Sequence, residues 1–247
     1  MLKKLYASSI FNSWVSQAVR IVFSLIAVPV VLTKLSIEET NVWFLFATVV
    51  AISQAVQFGF NITFVRFLSY SYSGVSVKEF NGIKQKFTAS QSTEANLEEF
   101  SDLFSVLKKV FLILTLLYFL IIIIFGTWAV YKPISLIEDS NSGWTTWALV
   151  VFSSALTLYY SVYQIYLIGI NQVARVQRIS AFSSILGIGL FLGVTFIAPT
   201  LFNIVAVYQV IEILNTLGLI YIAYNVNSGF LKKLVKRNFN KKPRSNK

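Results

Sequence analysis

The chain lacks cysteine and histidine altogether across its 247 residues. The absence of cysteine excludes disulfides, thiol nucleophiles and thiolate metal sites, while the absence of histidine removes imidazole ligands and the commonest general base. Acidic residues are scarce too, with 10 Asp and Glu against 21 Lys and Arg. We therefore expect no enzyme activity, no catalytic residues, no metal site and no organic cofactor. A membrane-embedded glycosyl- or acyltransferase is the weakest of the functions considered, because it would depend on a few loop acids.

Apolar sequence is what the chain has in abundance, with 56% hydrophobic residues and a mean hydropathy of +0.69. Six stretches approach the ~20 apolar residues that a helix needs to cross a bilayer. Lipid offers backbone groups no hydrogen-bond partner, so each stretch should be a continuous helix. The sequence predicts an all-α, polytopic transmembrane helical bundle over about 1–224, with a cytoplasmic loop at about 67–106 and a basic tail at about 225–247. The predicted spans are at about 10–32, 42–65, 107–131, 144–170, 179–198 and 201–224.

Basic residues fall mostly on one side of this bundle. The other side holds only Lys34 and Lys132, and Arg20 lies within the first span. By the positive-inside rule both termini are cytoplasmic, so the net charge of +11 reflects topology and predicts no nucleic-acid partner. The eight basic residues of the tail predict contact with anionic membrane lipids. The first span has no small-residue cleavage site after it, so we expect it to be retained.

Polar residues recur at three- and four-residue spacing in four spans, which places them on one face of each helix. Any one of them could simply bond to a neighbouring helix, but four such stripes together predict a polar cavity enclosed by spans one, two, four and six. The third span is nearly free of polar groups and should contact lipid more than its neighbours do. The candidate cavity residues are Asn12, Gln17, Arg20, Gln57, Asn61, Arg66, Gln164 and Glu212.

Two charges lie near the middle of spans. Arg20 is about midway along the first span and Glu212 about midway along the last, and charges at such depth usually pair or mark a pathway. A structural ion pair and a functional role are both open. In the functional role, the Arg20 guanidinium suits a phosphate group, which it can bind in a bidentate way. Glu212 would then carry a coupling ion, a proton or sodium.

Three local patterns add further expectations. Leu97, Phe100, Phe104 and Leu107 predict a short amphipathic helix that leads into the third span. The small-residue spacing of Gly189 and Gly193 predicts a close helix contact. Four tryptophans near the outer loops should be interfacial anchors, and these are Trp43, Trp128, Trp144 and Trp147.

The segments 29–39 (PVVLTKLSIEE), 42–46 (VWFLF) and 57–70 (QFGFNITFVRFLSY) resemble the start of Wzx-type polysaccharide biosynthesis flippases. These belong to the multidrug/oligosaccharidyl-lipid/polysaccharide exporter superfamily, and the patterned match covers roughly residues 5–75. The resemblance implies a bacterial inner-membrane protein that moves undecaprenyl-diphosphate-linked oligosaccharide, an O-antigen, capsule or exopolysaccharide repeat unit, from the inner to the outer leaflet. It would place Arg20 and Arg66 at cavity positions that meet the diphosphate, and it supplies no counterpart for Glu212.

The family has two six-helix lobes, and this chain has the spans of one. The chain would then be a truncated product, the N-terminal half of a split flippase, or a half-transporter that pairs with itself or with a second six-helix lobe. The alternative function is a structural or assembly subunit that transports nothing itself.

Overall fold

The computed structural model describes residues 8–74 and 97–226, and these residues are helical with short connections and no strand. Six helices are long and apolar enough to cross a membrane, which confirms the prediction of a multi-pass all-α protein. The third span is built from two helices joined by a π-helical turn at Ile122–Gly126. The helices are α1 (Ser9–Lys34), α2 (Ile37–Tyr72), α3 (Leu97–Ile121), α4 (Thr127–Ser135), α5 (Ser140–Gly169), α6 (Val173–Ile197) and α7 (Leu201–Asn225).

The helix starts have local causes that can be read in the sequence. The Ser36 side chain accepts a hydrogen bond from the backbone N–H of Glu39, and the Glu39 carboxylate accepts one from the N–H of Ser36, which makes a capping box for α2. Asp139 caps α5 and Thr200 caps α7 in the same general way, each accepting a backbone N–H three residues on. Each cap satisfies an N–H group that the helix itself leaves without a partner.

α2 is much longer than the predicted second span. It has 36 residues, which at ~1.5 Å per residue is ~54 Å, against ~30 Å for the hydrocarbon core of a bilayer. Residues 67–72, expected in a loop, are therefore helical. Residues 97–106 of the same expected loop are helical too, as their amphipathic pattern predicted. The remainder of that loop and the tail after 226 lie outside the described residues.

The helices pack as two groups of three spans. One group contains α1, α6 and α7, and the other contains α2, the third span and α5. The two groups meet mainly where α5 packs along α7, whereas α1 and α2 scarcely touch each other. An opening therefore remains between the α1 side and the α2 side of the bundle, above a floor formed by α5 and α7.

The beginning of α3 belongs to the core of the second group. Phe100, Phe104 and Leu107 are buried, and the two phenylalanines make edge or tilted contacts with Tyr166 of α5. The amphipathic helix predicted here is thus real, but its apolar face packs on α5 inside the protein. The opposite side of the third span exposes a row of leucines, as expected for a lipid-facing helix, at Leu112, Leu116, Leu117 and Leu120.

Two of the four tryptophans expected at the interface are core residues. Trp43 and Trp147 are buried, and Trp147 stacks on Phe46 while its indole N–H donates to the Thr127 hydroxyl at 3.1 Å. Trp128 is 81% exposed, which fits an anchor. The hydropathy pattern predicted the same interfacial surroundings for all four tryptophans, but helix packing buries two of them and exposes Trp128.

Close helix approach occurs at glycines other than the predicted pair. Gly189 and Gly193 have no neighbouring atom within 4 Å of a notional Cβ, so this spacing mediates no contact between the described helices. A Cβ on Gly187 would come within 2.8 Å of Ile211, where α6 crosses α7. A Cβ on Gly169 would meet Leu68 at the same distance, where α5 meets α2.

Candidate functional site

A polar cleft of about 440 Å³ occupies the opening between the two helix groups. Its walls come from α1, α2 and α6, and its floor comes from α5 and α7; no described residue of the third span lines it. The lining includes both membrane-depth charges, Arg20 and Glu212. Hydroxyl and amide groups supply most of the remaining polar surface, among them Gln54, Gln57, Asn61, Thr157, Gln164, Asn215 and Thr216.

Five helices supply the described lining of the cleft, one more than the four spans whose polar stripes predicted it. Spans one, two, four and six all contribute, and α6 adds Ser180, Ser183 and Ser184 to the wall. The signal for α6 was present in the sequence, since these serines follow helical spacing. Three small hydroxyl side chains among many apolar residues are common in membrane helices, so the pattern had little weight by itself.

Arg20 projects from α1 at the edge of the cleft. Its side chain is exposed, and its Nη2 donates to the buried hydroxyl of Ser16, one turn earlier, at 3.3 Å. This bond uses one of the five N–H donors of a guanidinium, so the others remain available to a bound group. Arg20 is therefore held from its own helix while it faces open space.

Glu212 reaches the same cleft from α7. Its side chain is exposed there. No hydrogen bond or ion pair joins the two side chains among the described residues. Each charge thus faces the cleft without being neutralised by direct contact with the other.

The remaining predicted residues divide into two sets. Gln57, Asn61 and Gln164 line the cleft, and the Asn61 side-chain oxygen is buried with no hydrogen-bond partner among the described residues. The other set, Asn12, Gln17 and Arg66, is absent from the described lining of the cleft. Asn12 is buried, and its amide donates to the Ser8 carbonyl at 2.6 Å, which is a local contact within the start of α1.

Gln17 lies instead in an apolar groove on α1 that shares Arg20 with the cleft. The groove measures about 490 Å³, and its lining is mostly hydrocarbon from Ile21, Leu25, Val28 and Pro29. Arg20 consequently stands at the boundary between a hydrocarbon-lined groove and a polar cleft. Arg66, in contrast, is an exposed residue on the last turns of α2.

A third cavity adjoins Glu212 on its other side. This aromatic pocket of about 240 Å³ lies between α2 and α7 and is lined by Trp43, Phe46, Tyr208 and small apolar residues. Glu212 belongs to both the aromatic pocket and the polar cleft, as do Gln54, Gln209 and Tyr208. Sequence reasoning missed this pocket because Trp43 and Tyr208 are far apart in the chain and come together only through helix packing.

Some stripe residues hold helices together. The Ser153 hydroxyl lies 2.6 Å from the Leu149 carbonyl of its own helix and 2.7 Å from the side-chain oxygen of Gln209, and it donates its one proton to either; the bond to Gln209 links α5 to α7. Tyr118 of the third span donates to the Ser154 hydroxyl at 3.0 Å or to the Val49 carbonyl at 3.1 Å. The polar stripes therefore serve both purposes: some members fasten the floor of the cleft, and others face into it.

Comparison of the chain with protein-family models, with curated proteins and with solved structures gives no match in any of the three. The resemblance to Wzx-type flippases accordingly stays a prediction. What the described residues define is a class: a six-span helical membrane protein with a polar, charge-bearing cleft.

Proposed function

We propose that the chain takes part in membrane translocation of an undecaprenyl-diphosphate-linked oligosaccharide, from the cytoplasmic to the outer leaflet of a bacterial inner membrane. The observation that carries this proposal is the position of Arg20, shared by a hydrocarbon-lined groove and a polar cleft. An amphiphile with a phosphate at the junction between tail and head matches this arrangement in order: hydrocarbon, charge, then hydroxyl-rich head.

The chemistry of each part supports the same ligand. Arginine binds phosphate oxygens through parallel N–H donors, and most of the Arg20 donors are free to do so. The amide and hydroxyl groups of the cleft can both donate and accept, as sugar hydroxyls do. Tail carbons along Ile21, Leu25 and Val28 would remain against apolar side chains while the head crossed the membrane.

The size of the cleft favours a transport site that a second lobe completes. A volume of about 440 Å³ lies within the ~300–1,000 Å³ of ligand pockets but toward the small end for an oligosaccharide. The opening between α1 and α2 leaves room for a second lobe to complete the enclosure. We therefore propose that the six spans work as one lobe, paired with a second copy or with a second six-helix lobe.

The proposed topology has both termini in the cytoplasm. Among the described residues, Lys34 and Lys132 lie at one end of the helices, and Arg175 and Lys109 lie toward the other. The unequal distribution of Lys and Arg over the whole chain supports this orientation by the positive-inside rule. The basic tail would then lie against anionic lipids of the inner leaflet.

Reconstitution tests the proposal directly. The purified chain in vesicles, with a fluorescent undecaprenyl-diphosphate oligosaccharide in one leaflet, should transfer the lipid faster than protein-free vesicles do. Arg20→Gln should reduce the rate at least tenfold, whereas Lys109→Gln, which removes an exposed positive charge elsewhere, should leave it within twofold of the unsubstituted protein. Transfer at the protein-free rate, both alone and after co-expression with a candidate partner lobe, would refute the proposal.

A structural or assembly subunit is the second candidate function. The observation in its favour is the Ser153 to Gln209 bond, which shows that membrane-depth polar groups of this chain do fasten helices. This candidate predicts that Arg20→Gln and Glu212→Gln lower the yield of folded protein. Normal yield of both variants, together with lost transfer, would exclude it.

A further inference from the structure

The two charged residues of the cleft, Arg20 and Glu212, each border a different second cavity. Arg20 borders the hydrocarbon-lined groove of α1 and is absent from the aromatic pocket. Glu212 borders the aromatic pocket and is absent from the groove. The polar cleft lies between them and contains both. A single anionic ligand would be attracted by the first charge and repelled by the second.

The aromatic pocket has the composition of a cation site. Glu212 is the one charged residue in its described lining, and the aromatic walls are Trp43, Phe46 and Tyr208. A cation beside a carboxylate and against aromatic rings gains from both, and the cation–π part rises when the site is desolvated. Trp43 and Phe46 are almost fully buried, whereas Ala47, Gln54 and Glu212 are exposed, so the aromatic wall is packed into the protein while the carboxylate faces open space.

Packing holds the pocket walls in place before anything binds. The Tyr208 ring stacks on Phe23 with centroids 4.9 Å apart, and it meets Phe191 edge-on at 5.7 Å. Phe46 stacks on Trp147 at 5.6 Å. Because these rings are fixed by neighbours outside the pocket, little ordering is needed when a ligand enters.

We infer that the head group carried by this cleft is zwitterionic, with a phosphate at Arg20 and an ammonium group in the aromatic pocket, where it lies between the Glu212 carboxylate and the rings of Trp43 and Tyr208. This inference rests on the proposed function and narrows its substrate to lipid phosphates whose head bears a free amine. Two sources share that chemistry: an amino sugar on a polyprenyl phosphate, and an aminophospholipid of the bilayer itself.

Paired ligands that differ only at the amine test the inference by binding, without any transport step. The first pair is a polyprenyl phosphate carrying an amino sugar and its N-acetylated form. The second pair is phosphatidylethanolamine and its N-acetylated form. Affinity is measured on the purified full chain in detergent by native mass spectrometry or by the shift of thermal unfolding. In at least one pair the free amine should bind about tenfold more tightly.

The variants should separate the two halves of the site. Glu212→Gln should abolish the preference for the amine while affinity for the acetylated lipid stays within about twofold. Arg20→Gln should weaken both members of a pair by a similar factor, because the phosphate is common to them. Glu138→Gln, which removes an exposed loop carboxylate, is the matched control and should change neither quantity.

Ala47→Phe provides a second route should Glu212→Gln fail to fold. Ala47 lines the aromatic pocket but not the cleft, so a larger side chain there should fill the pocket and remove the amine preference. Equal binding of amine and N-acetyl forms in both pairs would overturn the inference, as would a preference that survives Ala47→Phe. Loss of transfer in vesicles with an intact amine preference would instead count against the proposed function alone, which keeps the two failures distinct.

Discussion

Replacing Tyr118 by phenylalanine tests how much a buried hydroxyl contributes to the helix packing. The Tyr118 side chain is 4% exposed, and its hydroxyl lies 3.0 Å from Ser154 Oγ and 3.1 Å from the Val49 carbonyl, joining the third span to α5 and α2. A hydroxyl has one proton, so Tyr118 donates to only one of these acceptors at a time. Ser154 keeps another bond, to the Val150 carbonyl at 2.6 Å. Tyr118→Phe therefore removes one hydrogen bond and leaves no partner wholly unsatisfied.

Interhelical hydrogen bonds in membrane proteins average ~0.6 kcal/mol and reach ~1.7 kcal/mol. Tyr118→Phe should thus lower the free energy of unfolding by about 0.6 kcal/mol, and Tyr118→Ala by about 3–5 kcal/mol, because the ring leaves a cavity. Reversible unfolding in mixed micelles, followed by the far-UV signal, measures both. Tyr221→Phe, at a position 71% exposed, is the control and should change nothing measurable. A loss above 2 kcal/mol for Tyr118→Phe alone would show that the hydroxyl network is cooperative and that this reasoning is wrong.

The same micelle assay and a labelling assay check three more expectations. Gly169→Ala should cost about 1–3 kcal/mol, because its Cβ would lie 2.8 Å from a neighbouring side chain, whereas Gly189→Ala, with open space around it, should be neutral or slightly stabilising. Phe100→Ala should cost about 3–5 kcal/mol, since this ring is fully buried. The chain has no native cysteine, so Gln57→Cys in the cleft should react with a membrane-impermeant maleimide, whereas Leu117→Cys on the lipid-facing side of the third span should stay unlabelled.

Properties that depend on one helix at a time could be predicted from the sequence. The six spans follow from the length of apolar stretches, and the polar faces of spans one, two, four and six follow from spacing along single helices. These faces do meet in one cleft, where Gln57, Gln164 and Glu212 lie together. The helix ends were less predictable, because α2 continues past Arg66 to Tyr72 through sequence that is no longer strongly apolar.

Properties that depend on which helices are neighbours could not be predicted. Gly187 and Gly189 are two residues apart in the same helix, yet one packs against Ile211 and the other faces open space. The residues that flank Trp43 and Trp128 have similar hydropathy. Trp43 nevertheless packs near α7 and lines the aromatic pocket, whereas Trp128 is exposed. Local pattern fixes the face on which a residue lies, and only tertiary packing decides what that face meets.

The contact between α5 and α7 is the main connection between the two helix groups. The two helix groups share few other contacts, since α1 scarcely touches α2 and α5 only lightly touches α6. Polar bonds cross this contact, from Ser153 to Gln209 at 2.7 Å and between the Tyr163 and Tyr224 hydroxyls at 3.4 Å. A rocking motion about α5 and α7 would therefore change the separation of the α1 and α2 walls while each group stayed intact. If the proposed carrier alternates access by rigid-body rocking of the two groups, the contact between α5 and α7 is where that motion would take place.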